Sequence, residues 1–248
     1  MFRSSIIIPL RIDHNDRYIN AEIVLNYLIK YCSNMKIYVI ENGKQNYFQN
    51  MNIENKQLIE YTFQYNDENL FHRMKIINEL LACVHTKNTF IYDIDCLLPV
   101  STFIKVEEML EHCQIVKPFS NPPGCVYIHP SNKSNITSDI EGYALKQGDT
   151  TGFAGNGFIV CVDTKTYKEI GGENELFKAY GPEDNERYYR FEKLGYVKGE
   201  IKNNVYHLEH YRTPNSSHNN PYFKDNNNLF EKIKRMSKEE LIEYYIRI

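Results

Sequence analysis

The chain has 248 residues, 42% of them hydrophobic and 25% charged, with a net charge of -3; these proportions suit a soluble globular fold with a substantial core. The slight acidic balance excludes a dedicated nucleic-acid binder, which carries a basic stripe, and no apolar run approaches the about 20 residues that span a bilayer. The six cysteines (Cys32, Cys83, Cys96, Cys113, Cys125, Cys161) form no C-x-x-C pair and no zinc spacing, so a reduced, cytoplasmic chain without a secretory leader is expected.

In chain order, Ser5 to Leu10 reads as a buried strand of a parallel sheet, a β-branched run that ends at Pro9. Ile19 to Tyr31 sets Ile19, Ile23, Val24, Tyr27 and Leu28 at helical spacing. Lys36 to Ile40 is the next strand, closed by a turn at Glu41-Asn42-Gly43, and a right-handed crossover makes the two strands parallel. A helix over 69–84 places Leu70, Met74, Ile77, Leu80 and Leu81 on one face. Thr89 to Tyr92 is a strand that runs into Asp93-Ile94-Asp95, and Val100 to His112 is a further helix.

Residues 118–152, rich in Pro, Gly, Ser and Asn, form a loop-rich connection with one strand from Cys125 to Ile128. Phe158 to Val162 is a strand, Thr164 to Ile170 a short helix stopped by Gly171-Gly172, and Glu183 to Leu194 a helix ended by Gly195. Asn228 to Ile248 reads as one last helix, with Ser237-x-x-Glu240 as a capping box inside it. There Lys232, Lys234 and Arg235 stand beside Phe230, Ile233 and Met236; a packed helix with a solvated basic face is read ahead of a peripheral membrane contact.

Four groups of residues could carry chemistry. Asp93 and Asp95, two carboxylates at i and i+2 directly after a strand, offer hard oxygen ligands for Mg²⁺ or Mn²⁺, or else form a solvated turn. Glu183 and Asp184 open a helix, where acids either stabilise the first turn or supply a general base. His207 and His210 are packed residues or further metal ligands. Pro9 and Arg11 at the end of the first strand, with Phe71 and Arg73, could meet a phosphate and a base or ribose. The Gly152 to Gly157 stretch leads into a strand, not a helix, so it is not a dinucleotide-binding loop.

The order of these motifs resembles the β-1,4-galactosyltransferase family. It runs Pro9-x-Arg11, Ile37 to Asn42, Phe71-His72-Arg73-x-Lys75-Ile76-Ile77-Asn78, Phe90 to Asp95 with Leu97 and Pro99, Gly152-Phe153-Ala154-Gly155, Gly171-Gly172, Tyr180-Gly181-Pro182-Glu183-Asp184 and His210-x-Arg212. It looks equally like the bacterial capsule-type family 2 glycosyltransferases that share this C-terminal module, and it covers residues 5–222. The resemblance implies an α/β fold of GT-A (Rossmann-like) type: a mixed, mainly parallel central sheet flanked by helices, with a loop-rich acceptor side. It implies one domain over 1–248, with a nucleotide-binding half (1–100), an acceptor and catalytic half (101–222) and a C-terminal helical segment (223–248).

The activity implied is an inverting, Mn²⁺- or Mg²⁺-dependent transfer of a hexose or N-acetylhexosamine from a UDP-sugar to a glycan or lipid-linked acceptor. Surface polysaccharide synthesis at the inner face of the membrane is one such setting. Pro9, Arg11, Glu41, Phe71, Arg73 and Asp93 would surround the nucleotide, and Gly155 the donor sugar. Asp95 and His210 would hold the metal, with Asp93 on the ribose side and His207 in reserve. Asp184 would be the catalytic base, Glu183 an acceptor-binding carboxylate, and the loop around Tyr180 would close over the donor. Tyr180 stands where the family has Trp, and Pro182 and Asn185 replace a glycine and an acid, departures that bear on the acceptor. Retaining transfer on the same fold, or nucleotide-sugar binding without catalysis, are the competing readings. A nucleotidyltransferase would need glycines that Arg11 to Asn15 lack.

Overall fold

The computed structural model describes residues 4–33, 35–136 and 139–247. The chain begins β1 (Ser4–Leu10), α1 (Asn15–Tyr31), β2 (Lys36–Gly43), β3 (Ile59–Tyr65), α2 (Arg73–Cys83), β4 (Asn88–Tyr92), β5 (Cys96–Leu97) and α3 (Val100–Met109). It continues through β6 (Ile115–Lys117), β7 (Gly124–Ile128), β8 (Thr150–Gly152), β9 (Ile159–Asp163), α4 (Thr164–Glu169), α5 (Glu183–Leu194), β10 (Lys198–Glu200), β11 (Asn204–Leu208), α6 (Phe223–Arg235) and α7 (Lys238–Arg247). The central sheet has seven strands in the order β10-β6-β9-β4-β1-β2-β3. β9 alone runs against its neighbours, so the sheet is mixed and mainly parallel, as expected.

Strand periodicity divides the core between the two faces of this sheet. Ile6, Ile8, Phe90, Tyr92, Ile159 and Cys161 pack with α1 and α3 on one side. Ile7, Ile91, Val160 and Val162 pack on the other with α2, α4, α5 and the C-terminal helices. A second sheet, β5-β11-β7-β8, lies past the end of β4. It is tied there by Leu208 N donating to Asp95 O at 2.8 Å, which brings β11 and its histidines to the D-x-D turn.

Several expected boundaries move for identifiable reasons. α1 starts at Asn15, not Ile19, because the His14 side chain accepts from Asp16 N at its cap. α2 starts at Arg73, not Asn69: the Arg11 guanidinium donates to Leu70 O (2.9 Å) and Glu68 O (2.6 Å), which fixes 66–72 as a loop. α3 ends at Met109, short of His112. β3, half-buried along its length, was not expected, nor were the three-residue strands β6, β8 and β10.

The C-terminal helix is two helices. Ser237 N donates to Glu240 Oε2 (2.7 Å) and Glu240 N to Ser237 Oγ (3.1 Å), so the capping box starts α7 and does not lie within one long helix. Ile233 is fully buried, with Phe230 and Met236 packed against the same core, and the basic residues of α6 point outward. Among the described residues no helix is long and apolar enough to cross a membrane.

Candidate active site

The carboxyl ends of β1 and β4 open onto a cavity of about 650 Å³, the place where open α/β sheets bind ligands. Pro9 and Arg11 enter it from β1, Phe71 and Arg73 from the start of α2, and Asp93 and Asp95 from β4. Gly155 comes from the loop before β9, Tyr180, Glu183 and Asp184 from the entry to α5, and His207 from β11. Glu41 is not brought to the cavity. Its carboxylate accepts from Tyr47 N (3.0 Å), Phe48 N (3.1 Å) and the Tyr61 hydroxyl (2.7 Å), which fixes the loop after β2. Arg11 lines the cavity but spends its guanidinium on Leu70 and Glu68, bracing the loop that presents Phe71.

At one corner Asp95 meets both histidines. His210, whose side chain is fully buried, places Nε2 2.9 Å from Asp95 Oδ2. Its Nδ1 lies 2.8 Å from Tyr211 O; a carbonyl only accepts, so Nδ1 carries a proton, and Nε2 is the nitrogen turned to Asp95. A carboxylate oxygen and an imidazole nitrogen thus meet at 2.9 Å, a donor set that suits a divalent cation. The backbone carbonyl behind Nδ1 is the usual orienting partner of a metal-bound histidine.

His207 Nε2 stands 3.8 Å from Asp95 Oδ1, and its buried Nδ1 makes no hydrogen bond. Burial, opposed by Asp95 but reinforced by Arg212, His210 and Arg17, holds His207 down to about 3, so the ring stays neutral as a ligand must. Burial would raise the Asp95 carboxyl, yet His207, His210 and Arg17 outweigh it and keep the group well below the usual carboxylate range. Ligand atoms of Asp95, His207 and His210 all lie within 4.8 Å of one another. They fit a divalent cation, whose cis ligands at bonds of about 2.1 Å sit roughly 3 Å apart. Asp93 stands outside this cluster, its Oδ1 bound by Arg73 Nη2 at 2.7 Å.

Across the cavity, α5 presents its two acids differently. Asp184 Oδ1 accepts from Arg187 Nη1 at 2.9 Å and faces Arg73 Nη1 at 3.8 Å. Burial pushes its carboxyl up, but the two arginines pull it below the ordinary aspartate value. Its Oδ2 is turned toward Gly157, where an added Cβ would fall 2.8 Å away, so glycine leaves that oxygen room. Glu183 is buried, and its Oε2 has no hydrogen-bond partner. Burial, with the adjacent Asp184 charge, raises its carboxyl well above the ordinary range.

The Tyr180 loop is clasped from α6 and the turn before it. The Asn220 carboxamide donates to Lys178 O (2.8 Å) and Tyr180 O (2.6 Å), and Asn226 reaches the same two carbonyls. Ala179 has φ 53°, and a Cβ on Gly181 would fall 2.6 Å from Asn226 Nδ2. Sequence reasoning missed Asp13 and Arg17, which also line the cavity. Arg17 Nη1 lies 3.5 Å from Asp95 Oδ2 and Nε 3.1 Å from Asp13 Oδ1. Their i,i+4 spacing was visible, but it is equally that of an ordinary helix-surface pair.

No protein-family model matches the chain, and no curated protein matches it in sequence. Among solved structures the same fold, mixed α/β as expected for the GT-A type, is found in a glycosyltransferase. The mannosyltransferase PcManGT from Pyrobaculum calidifontis, solved in complex with GDP-Man and Mn²⁺, aligns with a TM-score of 0.55 at 14% identity, over 85% of this chain and 58% of that one. The chain therefore spans a little over half the length of that enzyme. The catalytic domain of Drosophila β1,4-galactosyltransferase 7, solved with xylobiose, aligns with a TM-score of 0.45 at 14% identity, over 84% of this chain and 71% of that one.

Proposed function

We propose that the chain is a metal-dependent glycosyltransferase that moves a hexose or N-acetylhexosamine from a nucleotide sugar, UDP-linked in the first instance, to a glycan hydroxyl. The observation that carries this reading is the convergence of ligand atoms of Asp95, His207 and His210, within 4.8 Å of one another, at the corner of a cavity that also holds Asp184. In this reading residues 1–100 hold the nucleotide, 101–222 the acceptor and the catalytic acids, and 223–248 brace the Tyr180 loop, all in one domain. When bound, Mn²⁺ or Mg²⁺ at Asp95 and the histidines supplies Lewis-acid neutralisation of the diphosphate leaving group. Arg17, Arg73 and Arg212 line the same cavity and complement phosphate charge.

Asp184, held ionised through Oδ1, takes the acceptor proton at Oδ2. The acceptor oxygen bonds to the anomeric carbon as the bond from that carbon to the diphosphate breaks, and the electron pair leaves with the diphosphate. Attack from the opposite face inverts the centre through an oxocarbenium-like transition state. Glu183, which keeps its proton to higher pH than an ordinary glutamate, donates a hydrogen bond to the acceptor. The Mn²⁺ and GDP-Man of the mannosyltransferase neighbour support a nucleotide sugar and set GDP beside UDP among the donors to test. The capsule-type motif order supports a surface polysaccharide precursor, free or lipid-linked at the inner membrane face, as acceptor.

A donor screen over UDP-, GDP- and CMP-sugars, with Mn²⁺ and with chelator, tests this directly. Nucleotide release that depends on Mn²⁺ is the expected result. Equal calorimetric affinity for nucleoside diphosphates in chelator and in Mn²⁺ overturns the metal site. Proton NMR of the product's anomeric centre then separates inversion from retention.

A further inference from the structure

Among the described residues, Phe153 is the only large, exposed apolar side chain that lines the cavity. It is 77% exposed, a costly place for an aromatic ring unless something covers it. Its backbone is nevertheless rigidly held. Gly152 pairs with Cys125 across β8 and β7, and the Tyr127 hydroxyl donates to Phe153 O at 3.4 Å. Ala154 is clamped from both sides by the Asn121 carboxamide, its N donating to Oδ1 (2.8 Å) and its O accepting from Nδ2 (2.5 Å). The ring is therefore projected at the cavity mouth from a fixed frame, as a preorganised contact is.

In the same cavity Asn156 Nδ2 donates to Asn185 Oδ1 at 2.9 Å, and both residues line it together with Phe153 and Asp184. That bond leaves the Asn156 oxygen, one of its N–H groups and both N–H groups of Asn185 to meet a ligand. An exposed aromatic ring and an uncharged carboxamide pair lining one cavity match one class of molecule, a pyranose, which has a C–H face and a rim of hydroxyls.

We propose that Phe153, Asn156 and Asn185 form the subsite for the acceptor sugar, with Phe153 stacking on its C–H face and the two carboxamides reading its hydroxyls beside Asp184. This rests on the transferase reading. The Asp95 corner fixes the diphosphate end of the donor deep in the cavity, whereas Phe153 stands where a molecule arriving from solvent first makes contact.

Saturation-transfer NMR with methyl glucoside, galactoside and N-acetylglucosaminide, on protein saturated with UDP and Mn²⁺, tests the subsite. Wild type is expected to deliver saturation to the C–H face of at least one glycoside. Phe153→Ala weakens that binding about tenfold, while Phe153→Tyr keeps it within about twofold. Phe153 is exposed, so neither variant threatens the fold. The same proteins are titrated with UDP and GDP in Mn²⁺, where Phe153→Ala is expected to match wild type within about twofold.

Unchanged glycoside binding in Phe153→Ala overturns the subsite while leaving the transferase reading intact. So does contact made by the alkyl chain of octyl glucoside but by no methyl glycoside, or no contact at all with wild type. Failure of wild type to bind either nucleotide in Mn²⁺ removes the transferase reading, and the subsite with it.

Discussion

Two buried polar regions flank the cavity, and they are built on opposite principles. Behind α5 the charges close on one another. Arg187 is bound to Glu173, to Asp184 and to the Tyr167 hydroxyl. Arg190 donates to Ile170 O (2.8 Å) and Gly172 O (2.6 Å), lies 3.2 Å from Glu186 Oε1, and sits 3.9 Å over the Tyr245 ring, whose hydroxyl donates to Glu186 at 2.6 Å. At Asp95, by contrast, one carboxylate and two imidazoles bring ligand atoms within 4.8 Å of one another, the donor set of a divalent cation. Buried polar groups are nearly always satisfied. A network of opposite charges closed on itself is scaffold, and one whose metal-ligand atoms converge at the edge of a cavity is shaped for something from outside.

The sharpest way to break this comparison is at Asp184, which touches both worlds through Arg187 and Arg73. Asp184→Asn keeps the shape and removes the base, so turnover is expected to fall by about 10²–10⁴-fold while calorimetric affinity for donor and Mn²⁺ holds. Unchanged turnover would move Asp184 wholly into the scaffold. Next comes the scaffold itself. Arg187→Met leaves Glu173 buried and uncompensated, which costs about 3–5 kcal/mol. At about 2–4 °C per kcal/mol for a chain of this size, the melting temperature should drop by roughly 6–20 °C. A melting curve identical to wild type would mean that the α5 network is not the closed scaffold described here.

The converse experiment is at the metal corner. A bound ion stabilises only the folded state, by about 2.7 kcal/mol at a hundredfold excess over Kd. Mn²⁺ should therefore raise the wild-type melting temperature by roughly 5–11 °C. Asp95→Ala should abolish that rise, and with it the Mn²⁺ dependence of nucleotide binding. A variant that kept the full response would place the ion elsewhere.

How much of this was legible in the sequence follows the same division. Asp93-Ile94-Asp95 announced itself because a strand delivers it to a sheet's carboxyl edge, and the parallel core strands were readable as β-branched runs. His207 was readable only as a reserve ligand. What sets it against Asp95 is the pairing of Cys96 with His207 between β5 and β11, strands separated by over a hundred residues. No local pattern carries such a register. Glu41 shows the opposite failure: the motif order placed it near the nucleotide, but three donors in its own neighbourhood use its carboxylate. Arg187 and Glu173 read as polar residues of a helix and a turn, because burial of a charge pair is a property of packing, not of spacing. Phe153 lay inside a quoted motif, yet only the structure shows that its ring is exposed at the cavity.

Glu183 stands between the two regions, and it yields the smallest effect. It belongs to α5, but its Oε2 has no hydrogen-bond partner. Its carboxyl titrates higher in the folded chain than at the ordinary glutamate value of 4.5. Between those two values the native state holds a proton that the unfolded state has released, so stability falls as pH rises through that window. Glu183→Gln keeps the shape and removes the titration. Below pH 4.5 the two proteins should melt together. As pH rises above that value the variant should become the more stable, by about 1–2 kcal/mol or roughly 2–8 °C, the cost of a buried carboxylate oxygen left without a partner. A difference that stays flat with pH would mean that Glu183 ionises like any surface acid. It would then belong with the charged scaffold, and the neutral hydrogen-bond donor proposed for the acceptor would have to be found elsewhere.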